Sequence, residues 1–361
     1  MLPLKILHVI WSAEMGGISK VVLHLCKEQK KDYSLEVSVY IAKGKGEIIN
    51  DFINSNITLI QGNFKSGISI HPKQIRQIRD IMTGFDIIHF HAFNPTMAFA
   101  AKLSRKKIIY TEHGNFGLGR GKKWNDYINQ ILKRFFLNRT VNHITFNSAF
   151  TQKTATKLYG LGRCDQSIVF NGVPLLDVTN TETKFRKSED EFIIYAIGRL
   201  AKVKRLDRLI HSLAALRNLK YRLIILGDGP EEKKLKQMAI DFGVSEFINF
   251  AGRGDALSLH READLCVLPS QGEAFGLVAI EAYQFGKRVL VFHDGGGVAE
   301  LVKKIDPLAV VKNENELVQI ISIAITNKKE DIRIIDQRKS FAALFSMEKM
   351  DSSLKNIYLS N

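Results

Sequence analysis

Residues 263–291 read ADLCVLPSQGEAFGLVAIEAYQFGKRVLV, and the fold follows from how this stretch is punctuated. An apolar run, Leu265 to Leu268, stops at Pro269. Ser270, Gln271 and Gly272 supply turn residues, and a segment that reads as helix then carries Glu281. With Glu273 in the turn and Glu281 in the first turns of the helix, both carboxylates face one cleft at the end of a strand. The backbone N–H groups of Gly276 and Leu277 then lie near the helix N-terminus, where unpaired donors and the helix dipole favour an anion. An ionised carboxylate only accepts hydrogen bonds. Two of them beside an anion hole suit a ligand with hydroxyls and phosphate, such as a sugar nucleotide. A spacing of eight also arises by chance on a solvated helix face, so spacing alone leaves both readings open.

The 361 residues suit two domains, each large enough to bury its own core. Hydrophobic content of 45% and charged content of 25% are those of a globular chain. No run approaches the ~20 apolar residues of a transmembrane helix. The N-terminal MLPLKILHVIW has no basic leader or cleavage site and reads as a first strand. Cys26, Cys164 and Cys266 are scattered and odd in number, which argues for a reducing compartment and against disulfides or structural zinc. A cytoplasmic location, extending to the inner face of a membrane, is therefore expected. The net charge of +15 fits an anionic partner. Without a zinc-finger, homeodomain or RNP-type pattern, nucleic acid is set aside. A phosphorylated substrate and an anionic membrane surface remain.

Strand and helix patterns alternate along both halves, predicting two doubly wound α/β domains with parallel sheets. Leu4–Ile10 is a strand followed by Gly16-Gly17 and a helix from about Ser19 to Gln29, an arrangement that presents N–H groups to phosphate or merely packs tightly. The strand ending in His89-Phe90-His91 places both histidines on one face, but no third metal ligand has convincing spacing, so no metal site is expected. His113 follows the strand Ile108–Thr111 and points into the crevice where open α/β sheets bind ligands, unless it is a structural histidine. Its charge is expected to respond near neutral pH. In Lys122–Arg139, Trp124, Ile128, Ile131, Leu132 and Phe135 share a helix face, with Lys122, Lys123, Lys133, Arg134 and Arg139 adding charge. Such a helix packs that face on its own sheet, the preferred reading, or lies in a membrane interface. The polar stretch 177–190 has linker composition. It separates a first domain, 1–175, from a second, 176–340, with a terminal segment, 341–361, beyond. In the second, Arg199, Lys204 and the strand-to-helix turn around them suit a diphosphate, the Arg as a fork and the Lys as a point charge.

These motifs, in this order, resemble the retaining GT-B glycosyltransferases with an E-x7-E signature: Gly16-Gly17, D-x-x-H-x-H at 86–91, His113-Gly114, Asn171-Gly172-Val173, G-R-L-x-x-x-K at 198–204, Gly252-Arg253, the stretch 269–282, and Gly295-Gly296-Gly297 with Glu300. The resemblance covers nearly the whole chain and is strongest over 192–301. Ala274, Arg288 and Arg205 depart from the family's usual Gly, Pro and Gly. It implies two Rossmann-like domains facing a central cleft, with a terminal helix, 341–361, crossing back to the first, and sugar transfer with retention, UDP-sugar favoured as donor. The implied acceptor is a glycan or lipid-linked saccharide of bacterial polysaccharide or lipopolysaccharide assembly, with no cofactor and no metal. By the same resemblance Arg199 and Lys204 bind the pyrophosphate, Glu273 the sugar hydroxyls and Glu281 the ribose. Phe275, Gly276 and Leu277 offer N–H groups, Arg253 and Asn171 join the donor site, His113 contacts the transferring sugar, and Gly16 and Gly17 face the acceptor. A nucleotide-sugar epimerase of the same fold, or a sugar-nucleotide-binding partner without turnover, are the alternatives.

Overall fold

The computed structural model describes residues 2–64, 72–114, 124–162, 164–177, 184–185, 191–327 and 330–360, and divides the chain into two compact units. Met1–Pro174 with Ser346–Asn361 form the first unit and Leu175–Phe345 the second. Lys122, Lys123 and most of the predicted linker lie outside the described residues.

Among the described residues the first unit holds seven strands: β1 (Leu4–Ile10), β2 (Leu35–Ile41), β3 (Thr58–Gln61), β4 (Ile87–Phe90), β5 (Lys107–Glu112), β6 (His143–Phe146) and β7 (Asp165–Ile168). Between them run α1 (Gly17–Gln29), α2 (Ile49–Asn54), α3 (Pro72–Met82), α4 (Pro95–Ser104), α5 (Trp124–Arg139) and α6 (Ala149–Tyr159). All pairings are parallel, in the order β3-β2-β1-β4-β5-β6-β7. Helices cover both faces of such a sheet, so its central strands are apolar on both sides: Ile6, Leu7, Val9 and Ile10 are all fully buried. The order reverses between β1 and β4, which makes the carboxyl ends of these two strands the topological switch point where ligands bind in open α/β sheets.

The second unit repeats the plan with β8 (Phe192–Ile197), α7 (Leu206–Leu213), β9 (Tyr221–Leu226), α8 (Glu232–Asp241), β10 (Ile248–Gly252), α9 (Ala256–Glu262), β11 (Leu265–Leu268), α10 (Leu277–Gln284), β12 (Arg288–Phe292), α11 (Gly297–Lys303), β13 (Val310–Val311), α12 (Glu314–Thr326) and α13 (Ile332–Ala342). Its order, β10-β9-β8-β11-β12-β13, puts the switch point between β8 and β11. The chain then returns to the first unit as α14 (Met347–Leu359), which buries Met350, Leu354 and Tyr358 there. The Asn171-Gly172-Val173 turn seats this helix. Val173 bridges Ser346, and a Cβ on Gly172 would lie 2.6 Å from Met347 Sδ.

One predicted face is largely turned outward, only Ile128 and Leu132 being half-buried. Trp124, Ile131 and Phe135 of α5 are exposed, while Lys133, Phe136 and Leu137 are buried. The cause is a buried ion pair that helical periodicity does not reveal. Lys133 Nζ donates to Glu112 Oε2 at 2.5 Å and stands 5.1 and 4.8 Å over the rings of Tyr110 and Tyr159. Burial works against the ammonium, but Glu112, together with Tyr110 and Tyr159, more than compensates and holds the Lys133 pKa well above its ordinary value. Lys133 is thus a core cation rather than surface charge.

Candidate active site

In the second unit, the loops leaving β8 and β11 meet at the switch point. Gly198 follows β8 with φ +152°, and Lys204 closes a short 3-10 turn, Lys202–Lys204. Lys204 Nζ donates to Glu273 Oε1 at 2.8 Å, joining the two loops. Beside them a hollow is lined by Gly198, Lys204, Leu268, Pro269 and Ser270. Burial alone would raise the Glu273 pKa; Lys204, helped by the Ser270 side chain, reverses this and holds it below the ordinary glutamate value. Glu273 is therefore an ionised hydrogen-bond acceptor, and its Oε2 is buried with no hydrogen-bond partner. Its backbone is clamped as well. Glu273 N–H donates to Gly295 O at 2.9 Å and Glu273 O accepts from Gly297 N–H at 2.7 Å. This parallel bridge explains the glycine run after β12, in which Gly296 has φ +71°.

The remaining donor-side residues cluster around α10. Gly276 caps that helix with φ +97° and has no side chain with which to cap it. A Cβ there would lie 2.4 Å from Val298 Cγ2, so glycine is required twice over, by conformation and by space. Leu277 opens the helix, and Ala279 N–H donates to Gly276 O at 3.0 Å, so only the N–H groups of Leu277 and Val278 are left as orphan donors among the described residues. Phe275 is buried with its ring edge-on to Phe345, so its side chain is taken up in packing. Glu281 stands one turn into α10, its Oε2 3.5 Å from Nε2 of the buried His260, whose Nδ1 bonds the Tyr195 hydroxyl at 2.8 Å. Arg199 is exposed on the loop after β8. Arg253 is exposed two strands away, its Nε donating to Asp228 Oδ2 at 2.7 Å.

The three departures from the expected pattern are accommodated. Arg205 takes the left-handed conformation itself, φ +48°, and its guanidinium grips Asp207. Ala274 is not among the positive-φ residues, so its methyl adds no backbone strain. Arg288 opens β12 and donates to Asp306 at 2.9 Å.

In the first unit, Gly16 caps α1 in extended backbone with no side-chain cap, and Gly17 is the first helical residue. Asn171 is buried, its Oδ1 without a hydrogen-bond partner. His113 follows β5 and belongs to a row of histidines that sequence spacing had only half revealed. His8 of β1 pairs in register with His89 of β4, supplying the third imidazole, and one nitrogen from each of His8, His89 and His91 lies within 4.8 Å of the others. A polar residue inside the apolar run LKILHVI was the available signal. Both nitrogens of His89 are already bonded at 2.7 Å, to the Tyr358 and Thr111 hydroxyls. His8 Nδ1 meets His91 Nε2 at 2.9 Å and His91 Nδ1 meets His113 Nε2 at 3.0 Å. Hydrogen bonds thus account for the cluster. The expected response of His113 near neutral pH is corrected: burial, with Lys133 nearby, lowers its pKa to about 4, so the ring is neutral at pH 7.

Residues 15–175 match the model of Glycosyltransferase Family 4 and residues 177–341 that of Glycosyl transferases group 1. The O-antigen biosynthesis glycosyltransferase WclY of Escherichia coli is 23% identical over 98% of each chain. A glycosyltransferase structure from Rickettsia africae superposes with a TM-score of 0.82 at 18% identity, covering 99% of this chain and 98% of that one. Anabaena Alr3699/HepE in complex with UDP and glucose gives 0.81 at 20% identity, covering 98% and 99%. The two parallel sheets with flanking helices in this chain match GT-B glycosyltransferase structures.

Proposed function

The chain is a glycosyltransferase built of a family 4 domain and a group 1 domain, and from that premise we propose a retaining, metal-independent transfer of a hexose-type sugar from a UDP-sugar. The acceptor in this proposal is a glycan or lipid-linked saccharide. The observation that carries the reading is the Lys204–Glu273 pair spanning the switch point of the second unit. An ammonium has three donors, so Lys204 can keep Glu273 and still reach a diphosphate oxygen. Arg199 adds a fork-shaped cation. As the sugar C1–oxygen bond breaks, negative charge grows on the departing diphosphate, and fixed cations aimed there act most strongly in the transition state. These two side chains do the work a divalent cation would otherwise do.

Glu273, ionised and with a spare buried oxygen, accepts from sugar hydroxyls, and Glu281 accepts from the ribose. The first-turn N–H groups of α10 add positive potential toward phosphate. His113 contacts the transferring sugar, Arg253 and Asn171 serve the donor, and Gly16 and Gly17 serve the acceptor. The new C1–oxygen bond forms on the face the leaving group vacates, and a phosphate oxygen takes the acceptor proton.

Among the described residues no helix is long and apolar enough to cross a membrane. The exposed Trp124, Ile131 and Phe135 of α5, with Lys102 5.3 Å over the Phe135 ring, support contact with an anionic membrane surface at the inner face of the membrane, where lipid-linked acceptors reside.

The test is thermal-shift screening of UDP-, GDP- and ADP-sugars followed by turnover with and without EDTA, the anomer of the product being read by NMR. Stabilisation by a UDP-sugar and an unchanged anomeric configuration, insensitive to EDTA, are expected. An inverted product or EDTA-abolished turnover refutes the corresponding part.

A further inference from the structure

The histidines of the first unit form a directed chain. Gln29 Oε1 lies 2.8 Å from His8 Nε2, His8 Nδ1 lies 2.9 Å from His91 Nε2, and His91 Nδ1 lies 3.0 Å from His113 Nε2. His8 and His91 are buried to 2% exposure or less, whereas His113 is only half-buried. Burial keeps each ring neutral, His8 and His113 at about 4 and His91 well below its ordinary value. A neutral imidazole has one N–H and one bare nitrogen, so each link must have one donor and one acceptor. The direction of the first link then dictates every other.

The Gln29 carbonyl oxygen only accepts, so His8 carries its proton on Nε2 and its Nδ1 is bare. His91 must then donate from Nε2, leaving its Nδ1 bare, and His113 must donate from Nε2. What remains at the open end is His113 Nδ1, a bare acceptor and the one ring nitrogen in this chain for which the described residues provide no partner. The structure places Gln29 Oε1, not Nε2, against His8, and Nε2 is buried with no hydrogen-bond partner. Reversing the amide would turn over all three imidazoles together and present an N–H in place of a lone pair.

We propose that Gln29, His8 and His91 are positioning residues that fix His113 as its Nε2–H tautomer, so that it offers a hydrogen-bond acceptor, never a donor, to a sugar hydroxyl. The ligand part of this inference rests on His113 contacting the transferring sugar, as proposed above; the tautomer part does not. The chain places the choice of donor or acceptor at His113 under the control of a glutamine on α1, three hydrogen bonds away.

The direct test needs no mutation. Long-range proton–nitrogen NMR on protein with 15N-labelled histidine, between pH 6 and 8, reports which nitrogen of each ring is protonated. The expected result is Nε2–H for His8, His91 and His113 alike. An Nδ1–H form, an imidazolium at any of the three, or one equivalent of zinc retained on the cluster by metal analysis would overturn the proposal. In Gln29→Leu the director is gone, and His113 should show a mixed tautomer with kcat for sugar transfer falling about tenfold and KM for the donor little changed. An unaltered His113 spectrum in a folded Gln29→Leu protein would also overturn it. His113→Ala separates the two readings. If its turnover equals wild type while the tautomers are as expected, the chain stands and the sugar contact fails. If turnover collapses but His113 is Nδ1–H, the contact stands and the chain fails.

Discussion

Replacing Lys204 by methionine should damage the second unit in two separable ways. The ammonium and Glu273 are 2.8 Å apart with side chains 26% and 19% exposed, midway between a surface pair and a buried one. Exposed pairs contribute about 0–1 kcal/mol, and stranding a buried charge costs about 3–5 kcal/mol. A value near 2 kcal/mol is expected, which for a unit of this size lowers Tm by about 4–8 °C. Most of that cost comes from Glu273, left in a site where desolvation is no longer opposed by a cation. Glu273→Gln added to Lys204→Met should therefore return about 1 kcal/mol. The pH dependence has a definite sign. In the wild type the Glu273 pKa is depressed, so its contribution is present above the ordinary value of 4.5 and lost as pH falls through the folded-state value. In Lys204→Met the pKa should rise above 4.5, making the ionised form a liability at neutral pH that protonation relieves. The gap between wild type and variant should accordingly narrow from pH 7 to pH 4. Activity should behave differently, since a lost cation at the leaving group costs about 10²- to 10³-fold in turnover, which the second substitution does not restore. Urea titrations of the four proteins in the double-mutant cycle, with turnover measured on each, decide it. Stabilities that add within about 0.3 kcal/mol would refute the pairing as the source of the loss.

Acid should weaken the first unit early. Because the folded His8 and His113 titrate at about 4 while their unfolded forms titrate near 6.5, stability is complete above 6.5 and is lost as pH falls toward 4. The His8 difference alone corresponds to about 3 kcal/mol. A urea midpoint that stays flat from pH 7 to 5 would contradict this. Gly276→Ala should cost about 2–4 kcal/mol through left-handed strain and the clash with Val298, and Val298→Ala should recover part of it. Calorimetry on both variants tests the clash, and equal Tm values for the single and double variants would count against it. Arg205→Gly relieves the positive φ at the cost of a more flexible unfolded chain, so Tm should hold or rise slightly; a fall of several degrees would show that the Asp207 contact outweighs the strain.

Local grammar carried most of the fold. Apolar runs stopped by glycine and proline marked the strands, and two series of strand–helix alternation implied two parallel sheets, because parallel neighbours need a crossover. The gathering of the candidate residues at one edge of the second sheet was legible for the same reason. Lys204, Glu273 and Gly276 sit in the short turns that leave strands, so strand ends alone put them on one edge of the sheet. What sequence could not supply were contacts between strands remote along the chain. His8 meets His89 and His91 only because β1 and β4 are neighbours in the sheet order, and Lys133 meets Glu112 only once α5 has chosen which face to bury. Periodicity identifies a stripe on a helix but not the ion pair that outbids it. Nor does a histidine's position along the chain reveal its charge, since a group that titrates near neutrality in water is held neutral by burial among other imidazoles. The order of elements was written in the chain; the protonation and partners of its polar core were decided by which strands came to lie side by side.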